Sequence, residues 1–504
     1  MKNTKQPTPR RQNIGFKAFC GVAVLLLYGM SVDVNAASES NRPNIVVILA
    51  DDLGYGDVSF LNPDSKIKTP HMDALAKAGV WATDAHSPSA ICSPSRYAML
   101  TGRYAWRGSL KSGRLNPWAP PAIKKEAFTM GDMLKTKGYQ TACIGKWHLG
   151  FIWPWKGGEM PSRDLIGGGV SIAKNEMFDW TQPIPEGPLT AGFDYYFGVD
   201  CPNFPPYAFI ENDKLMCDPV WIDKNSLKSI GVRGFLHGSG PGEEGWDLDR
   251  ILPAITTSAV NYIEEQSKSD TPYFLYFSLT SPHTPVVPLK EFRGQSDAGS
   301  YGDWVIQTDQ AIGQVIDAIK ASDEFENTLI IISSDNGPEG LTRELIQSHE
   351  HRSTAHLRGI KGDAWEGGHR VPFIASWPKG GMSGGREVDA TISLKDLFAT
   401  TANIVEFELE EGVAEDSLNI LPSLLKNEVV RYEMIYHSGR TAYGIRQGDW
   451  VYLRKGGSKE EPEWYLQAQQ IKQQQRPLMN SLIWRMMRPS KPIYRQIIPS
   501  EWPS

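Results

Sequence analysis

The stretch Asn44-Ile45-Val46-Val47-Ile48-Leu49-Ala50, followed at once by Asp51-Asp52, decides how this chain is read. Its apolar residues run without alternation. A strand with one wet face alternates, whereas a strand covered on both faces does not, so this run predicts an interior strand of a parallel sheet. Downstream, Thr69-Pro70 supplies a cap and first-turn proline, and Gly79 a stop, for a short helix. Buried-strand runs recur at Gln140 to Ile144, Tyr273 to Leu279, Leu329 to Ser333 and Phe373 to Trp377. Val305, Ile312, Val315, Ile316 and Ile319 recur at helical spacing between two of them. Strands alternating with helices predict an α/β core: a mixed, mainly parallel sheet flanked by helices.

Composition agrees with an enzyme-sized globular chain. Its 504 residues are 40% apolar and 22% charged, which excludes a collagen-like, disordered or polytopic membrane protein. A net charge of −6 gives no footprint for a nucleic-acid partner. Lys2, Lys5, Arg10, Arg11 and Lys17 precede the apolar run Ala18 to Met30, and Val34-Asn35-Ala36 ends in small residues. This reads as a signal peptide over 1–36, because the apolar run falls short of the about 20 residues that span a bilayer. Its removal takes away five basic residues and Asp33, leaving an exported, periplasmic or secreted, acidic chain without stable membrane insertion. The expected domains are a catalytic one over 37–416 and a smaller C-terminal α+β subdomain over 417–504. In the latter, Tyr443 to Leu453 reads as two strands around a Gln-Gly-Asp turn. Residues 151 to 250, rich in Gly, Pro and aromatic residues, read as long ordered loops, with Trp153, Trp155, Trp180 and Phe204 as candidates to stack on the rings of a ligand. Of four cysteines left after maturation, Cys201 and Cys217 are spaced to pair across a short loop, and Cys143 fills the core.

Asp51 and Asp52 follow one strand, and Asp335-Asn336 follow another. Ligands of open α/β sheets bind beyond the carboxyl ends of the strands, where these pairs converge. Such an all-oxygen set suits Ca²⁺ or Mg²⁺ rather than Zn²⁺. The most specific segment is Cys92-Ser93-Pro94-Ser95-Arg96-Tyr97-Ala98-Met99-Leu100-Thr101-Gly102-Arg103. Pro94 favours helix initiation just after Cys92, and a helix N-terminus favours an anion. Arg96 lies one turn on, on the same face.

This segment resembles the sulfatase signature C-x-P-S-R-x-x-x-L-T-G. The resemblance extends from about Arg42 to Trp450, through Ala50-Asp51-Asp52-Leu53-Gly54, Gly145-Lys146-Trp147-His148, Ser281-Pro282-His283, Ser334-Asp335-Asn336-Gly337 and Lys361 to Pro372. It implies an alkaline-phosphatase-like fold and hydrolysis of sulfate esters, with Cys92 oxidised by a formylglycine-generating maturation enzyme to 3-oxoalanine (formylglycine). It further implies one Ca²⁺ held by Asp51, Asp52, position 92, Asp335 and Asn336. Three of those residues are carboxylates, balanced by Arg96, Lys146 and Lys361, so the cation's charge is left to attract a monoanionic sulfate ester. The implied mechanism has a hydroxyl of hydrated formylglycine attack sulfur while Asp335 takes its proton. His283, assisted by Lys361, protonates the leaving alcohol, and His148 deprotonates the second hydroxyl to expel sulfate. Sulfated polysaccharide or oligosaccharide is the expected substrate. Aryl sulfates, phosphate or phosphonate esters, and an unmodified relative that only binds sulfated glycans are the alternatives. His351, His356, Arg352 and His369 receive no role. After Lys455 the basic tail departs from the resemblance.

Overall fold

A computed structural model describes residues 42–158, 173–227, 236–439 and 442–453. The leader and the tail after Lys455 lie outside the described residues. Among those residues a ten-stranded sheet runs in the order β13 (Arg386–Val388), β2 (Val80–Ala82), β12 (Phe373–Ser376), β11 (Thr328–Ser334), β1 (Asn44–Asp51), β10 (Tyr273–Pro282), β4 (Gln140–Lys146), β5 (Tyr195–Val199), β6 (Ile210–Glu211) and β7 (Lys214–Leu215). The central five, β11 to β5, are mutually parallel. β12, β6 and β7 pair antiparallel with their neighbours, which makes the sheet mixed.

Both faces of β1 are covered, as its unbroken apolar run requires. Ile45, Val47 and Leu49 enter one core layer with Leu100 and Phe398. Val46, Ile48 and Ala50 enter the other, against Ile255 and Ala259 of the helix Ile251–Gln266 and Ile312 and Val315 of the helix Gly299–Ala321. The helix Pro70–Ala78 begins after Thr69 and stops at Gly79, as expected.

Three expectations change in the middle of the chain. The loop-rich region contributes β5, which extends the parallel sheet beyond β4, and the ribbon of β8 (Val220–Ile222) with β9 (Gly240–Gly242). Trp153 and Trp155 are not a sugar platform. Both are buried, and Trp153, Trp155 and Phe178 pack round Trp118 with ring centroids 4.9–6.1 Å away. Phe204 is buried as well. Cys201 and Cys217 are free thiols, with Cys201 donating to Asn203 Oδ1 at 3.3 Å.

The C-terminal part contains an antiparallel sheet of β15 (Glu433–His437), β16 (Tyr443–Gln447) and β17 (Trp450–Leu453), the last two joined by the expected turn. A two-residue ribbon pairs β3 (Ala85–His86) with β14 (Ile392–Ser393). The His437 carbonyl accepts from Ala90 N at 2.8 Å and Ser89 Oγ at 3.1 Å, so β15 holds the approach to Cys92. No described helix is long and apolar enough to cross a membrane.

Candidate active site

Parallel strands deliver their carboxyl ends to one edge, and the predicted residues sit there. β1 ends in Asp51 and leads to Asp52, β11 leads to Asp335 and Asn336, β4 ends in Lys146 two residues before His148, and β10 runs into His283. Cys92 opens the helix Cys92–Thr101, all ten of whose residues are buried. The helix stops at Gly102 with φ 64°, where a Cβ would stand 2.4 Å from that of Ala414, so glycine is required. Asp52 (φ 69°) and His148 (φ 53°) adopt left-handed backbone that side chains other than glycine rarely take, a strain concentrated at functional sites.

Charges interlock around Cys92. Lys146 Nζ donates to Asp51 Oδ2 at 2.7 Å, and Lys361 Nζ to Asp52 Oδ2 at 2.6 Å. Asn336 Nδ2 donates to Asp52 Oδ1 at 2.6 Å. Arg96 Nε donates to Asp335 Oδ2 at 2.9 Å, while Nη1 donates to Ser278 Oγ. Burial raises the Asp52 pKa well above the usual carboxylate range, against the pull of Lys361 and with help from Asp51. For Lys146 and Lys361 burial works against the charge, but Asp51 for the first and Asp52 for the second win, and both pKa values rise.

The residues fit a hard cation. Asp51 Oδ1, 3.4 Å from Arg96 Nη2, and Asn336 Oδ1 are buried oxygens without a hydrogen-bond partner among the described residues. Single ligand atoms from Asp51, Asp52, Cys92 and His283 lie within 4.8 Å of one another. Asp335 stands outside that quartet, turned towards Arg96. Burial also pushes the Cys92 thiol up, against the opposing lysines Lys146 and Lys361, so an unmodified thiol there stays protonated and is a poor nucleophile.

The two histidines offer lone pairs. His148 Nε2 donates to the Leu115 carbonyl at 3.2 Å, leaving Nδ1 buried, unprotonated and without a partner among the described residues. Burial, then Lys146 and Arg114, lower its pKa well below the ordinary value. His283 Nδ1 donates to the Thr284 carbonyl, and its Nε2 stands 3.7 Å from Asp52 Oδ2. Burial, then Lys361 and Lys146, depress it likewise.

Other histidines serve elsewhere. His351 Nε2 bonds Asp57 at 2.8 Å, and His356 packs edge-on to Tyr55. His369 bonds His86 at 2.9 Å beside Glu366, in a cluster whose carboxylates Glu366 and Asp84 are already paired with Arg370. Sequence reading missed Glu339, whose Oε1 lies 3.1 Å from Lys361 Nζ. Lys361 foremost, against burial, lowers its pKa to about 2. Its position three residues beyond Asn336, on the same strand-end loop, was the available signal. Also missed were Arg114 and His237, joined at 3.0 Å beside Phe204.

Residues 43–406 match the family model described as Sulfatase. An N-acetylgalactosamine-6-O-sulfatase of Bacteroides thetaiotaomicron is 30% identical, over 88% of this chain and 88% of its own length. Human steryl-sulfatase is 28% identical, over 82% of this chain and 74% of its own. A solved structure from work on the metabolism of multiple glycosaminoglycans by Bacteroides thetaiotaomicron superposes with a TM-score of 0.71 at 28% identity, covering 84% of this chain and 90% of that one. The family match runs from the first strand through every residue of the charged cluster, and the chain therefore belongs to the sulfatase family, as a type I sulfuric ester hydrolase of the alkaline-phosphatase-like superfamily.

Proposed function

We propose that this enzyme hydrolyses sulfate esters of a sulfated polysaccharide or oligosaccharide through a formylglycine at position 92 and a bound Ca²⁺. The observation that carries the reading is the gathering of Asp51, Asp52 and His283 round one buried cysteine at a helix start, with Lys146, Lys361 and Asn336 bonded to those two aspartates. When present, the hydrated aldehyde supplies the attacking hydroxyl and the cation polarises the sulfate.

The chain's own groups do the rest. Asp51, Asp52, Asp335 and Asn336 would hold the cation, with position 92 beside them. Lys146 and Lys361, kept charged by their carboxylates, bind sulfate oxygens. Arg96 fixes Asp335, which accepts the attacking proton. His283 Nε2 first takes up a proton, as the arriving sulfate offsets the two lysines that add to burial in depressing its pKa, and then delivers that proton to the leaving oxygen. His148 Nδ1 offers its lone pair to the proton released as sulfate is expelled. The carbohydrate assignment is supported by the N-acetylgalactosamine-6-O-sulfatase relative and by the glycosaminoglycan-linked structure. The basic and apolar pattern of residues 1–36 supports export, and the motif from Cys92 to Gly102 supports maturation by a formylglycine-generating enzyme.

Mass analysis of the peptide containing Cys92 tests this directly. Conversion of thiol to aldehyde lowers the peptide mass, and Cys92→Ala protein, which keeps a small residue at the helix start, should fold but not turn over. A wild-type peptide that retains its thiol in active enzyme would refute the reading.

A further inference from the structure

One cation beside the centre, Arg114, pairs with no carboxylate among the described residues. Ser93, next to Cys92, accepts from Leu115 N through Oγ at 3.2 Å, which ties the neighbouring loop to the nucleophile helix. The Leu115 carbonyl takes two donors at 3.2 Å, His148 Nε2 and Arg114 Nη1. Arg114 Nη1 also donates to Asn116 Oδ1 at 2.9 Å, and Nη2 to His237 Nε2 at 3.0 Å. Its guanidinium lies 5.5 Å over the Phe204 ring, which meets His148 and His237 edge-on. Every acceptor named is neutral, and among the described residues Nε–H and one Nη2–H are left over. The other cations of the site all face carboxylates: Arg96 faces Asp335, Lys146 faces Asp51, and Lys361 faces Asp52 and Glu339.

Charge matching says what this leftover fork is for. With Glu339 included, four carboxylates face three cations, so a divalent ion leaves one positive charge, enough for a single sulfate monoester. A second negative group on the same substrate needs a further cation. Arg114, half-buried and held by Phe204, Asn116 and His237, is pre-organised to supply it, and a planar fork matches carboxylate or sulfate oxygens. We propose that Arg114 is a specificity-determining residue that receives a second anionic group, a carboxylate or another sulfate, on the sulfated sugar. This rests on the sulfated-carbohydrate reading above.

The test compares full-length wild type with Arg114→Gln and Arg114→Lys on matched substrates: a neutral monosulfated disaccharide, the same sugar with a uronate carboxylate, the same sugar disulfated, and a neutral aryl sulfate. Arg114→Gln should lower kcat/KM about 10- to 100-fold on the carboxylate or the disulfated arm, whichever group is recognised, and no more than about threefold on the neutral substrates. Arg114→Lys should recover part of the loss, and added salt should weaken wild type more than the glutamine variant on the charged arm. Equal losses on all four substrates would make Arg114 a support for His148 and overturn the proposal. So would equal activity of wild type and variant on both charged arms. If wild type cleaves the aryl sulfate but no sugar, the carbohydrate reading fails. The proposal is then judged on aryl sulfates with and without a ring carboxylate, where no charge preference overturns it. If nothing turns over, calorimetric binding of the four substrates, with and without the Arg114 substitutions, makes the same comparison.

Discussion

Arg96 and Asp335 form an ion pair shut off from solvent, with Nε donating to Oδ2 at 2.9 Å and Nη2 2.7 Å from the same oxygen. The pair joins the nucleophile helix to the end of β11 across 239 residues of chain. Removing one partner strands a buried charge, which is worse than removing both. Arg96→Met should therefore lose about 3–5 kcal/mol of stability as well as activity, measured by urea unfolding. A midpoint close to wild type would mean that Asp335 finds its compensation elsewhere.

The orphaned oxygens of Asp51 and Asn336 lead to a metal expectation. Exhaustive chelation should abolish turnover, and Ca²⁺ should restore it better than Zn²⁺, because the donors are oxygens. Asp51→Ala, Asp52→Ala and Asn336→Ala should each raise the cation concentration needed for half-maximal rate. Full activity of the chelated protein would remove the metal assignment.

His283 can be tested for its role rather than its presence. A sugar alkoxide needs a proton on leaving, whereas nitrophenolate is already a stable anion. His283→Ala should cost about 10²- to 10⁴-fold on a sulfated sugar and clearly less on an activated aryl sulfate. Lost positioning would lower both alike, and equal losses would move the general acid to Lys361.

Lys395 carries a stability expectation remote from the chemistry. Fully buried, its Nζ has no hydrogen-bond partner among the described residues and sits 3.8 Å from Asp396 Oδ1, which Arg431 also engages. Burial first, then Arg431, lower its pKa to about 7 against the pull of Asp396. Above that pH the unfolded chain holds the lysine proton and the folded chain does not, so stability rises with pH from about 7 towards 10, by at most about 1.4 kcal/mol per pH unit. Below 7 both states hold the proton and this slope vanishes. Lys395→Met should flatten the rise, read as the difference in denaturant midpoint between pH 7.5 and 9.5 (about two units apart). An unchanged slope would assign the pH dependence to other groups.

What local pattern carries was legible without a structure. An unbroken apolar run has to be covered on both faces, so Asn44 to Ala50 implied the parallel core. A first-turn proline and a glycine just beyond the end bounded Pro70–Ala78, and Pro94 marked the helix start at Cys92. β5 escaped because Tyr-Tyr-Phe-Gly-Val has no decisive period, and it becomes a strand by pairing with the edge of β4. Trp153 and Trp155 escaped because an aromatic ring suits a core and a sugar equally, and only their neighbours Trp118 and Phe178 decide between them.

By itself, then, the sequence determined the strand ends that carry Asp51, Asp52, Asp335 and Asn336, the helix start at Cys92, and the chemical class of the site. Tertiary structure alone decided which charge answers which. Lys361 meets Asp52 across 309 residues, Asp335 turns to Arg96, Glu339 joins the cluster, and Arg114 is left without a carboxylate among the described residues. The reason is physical: secondary structure follows from neighbours along the chain, whereas an ion pair a few ångströms long is set by where the folded sheet and its loops place groups hundreds of residues apart.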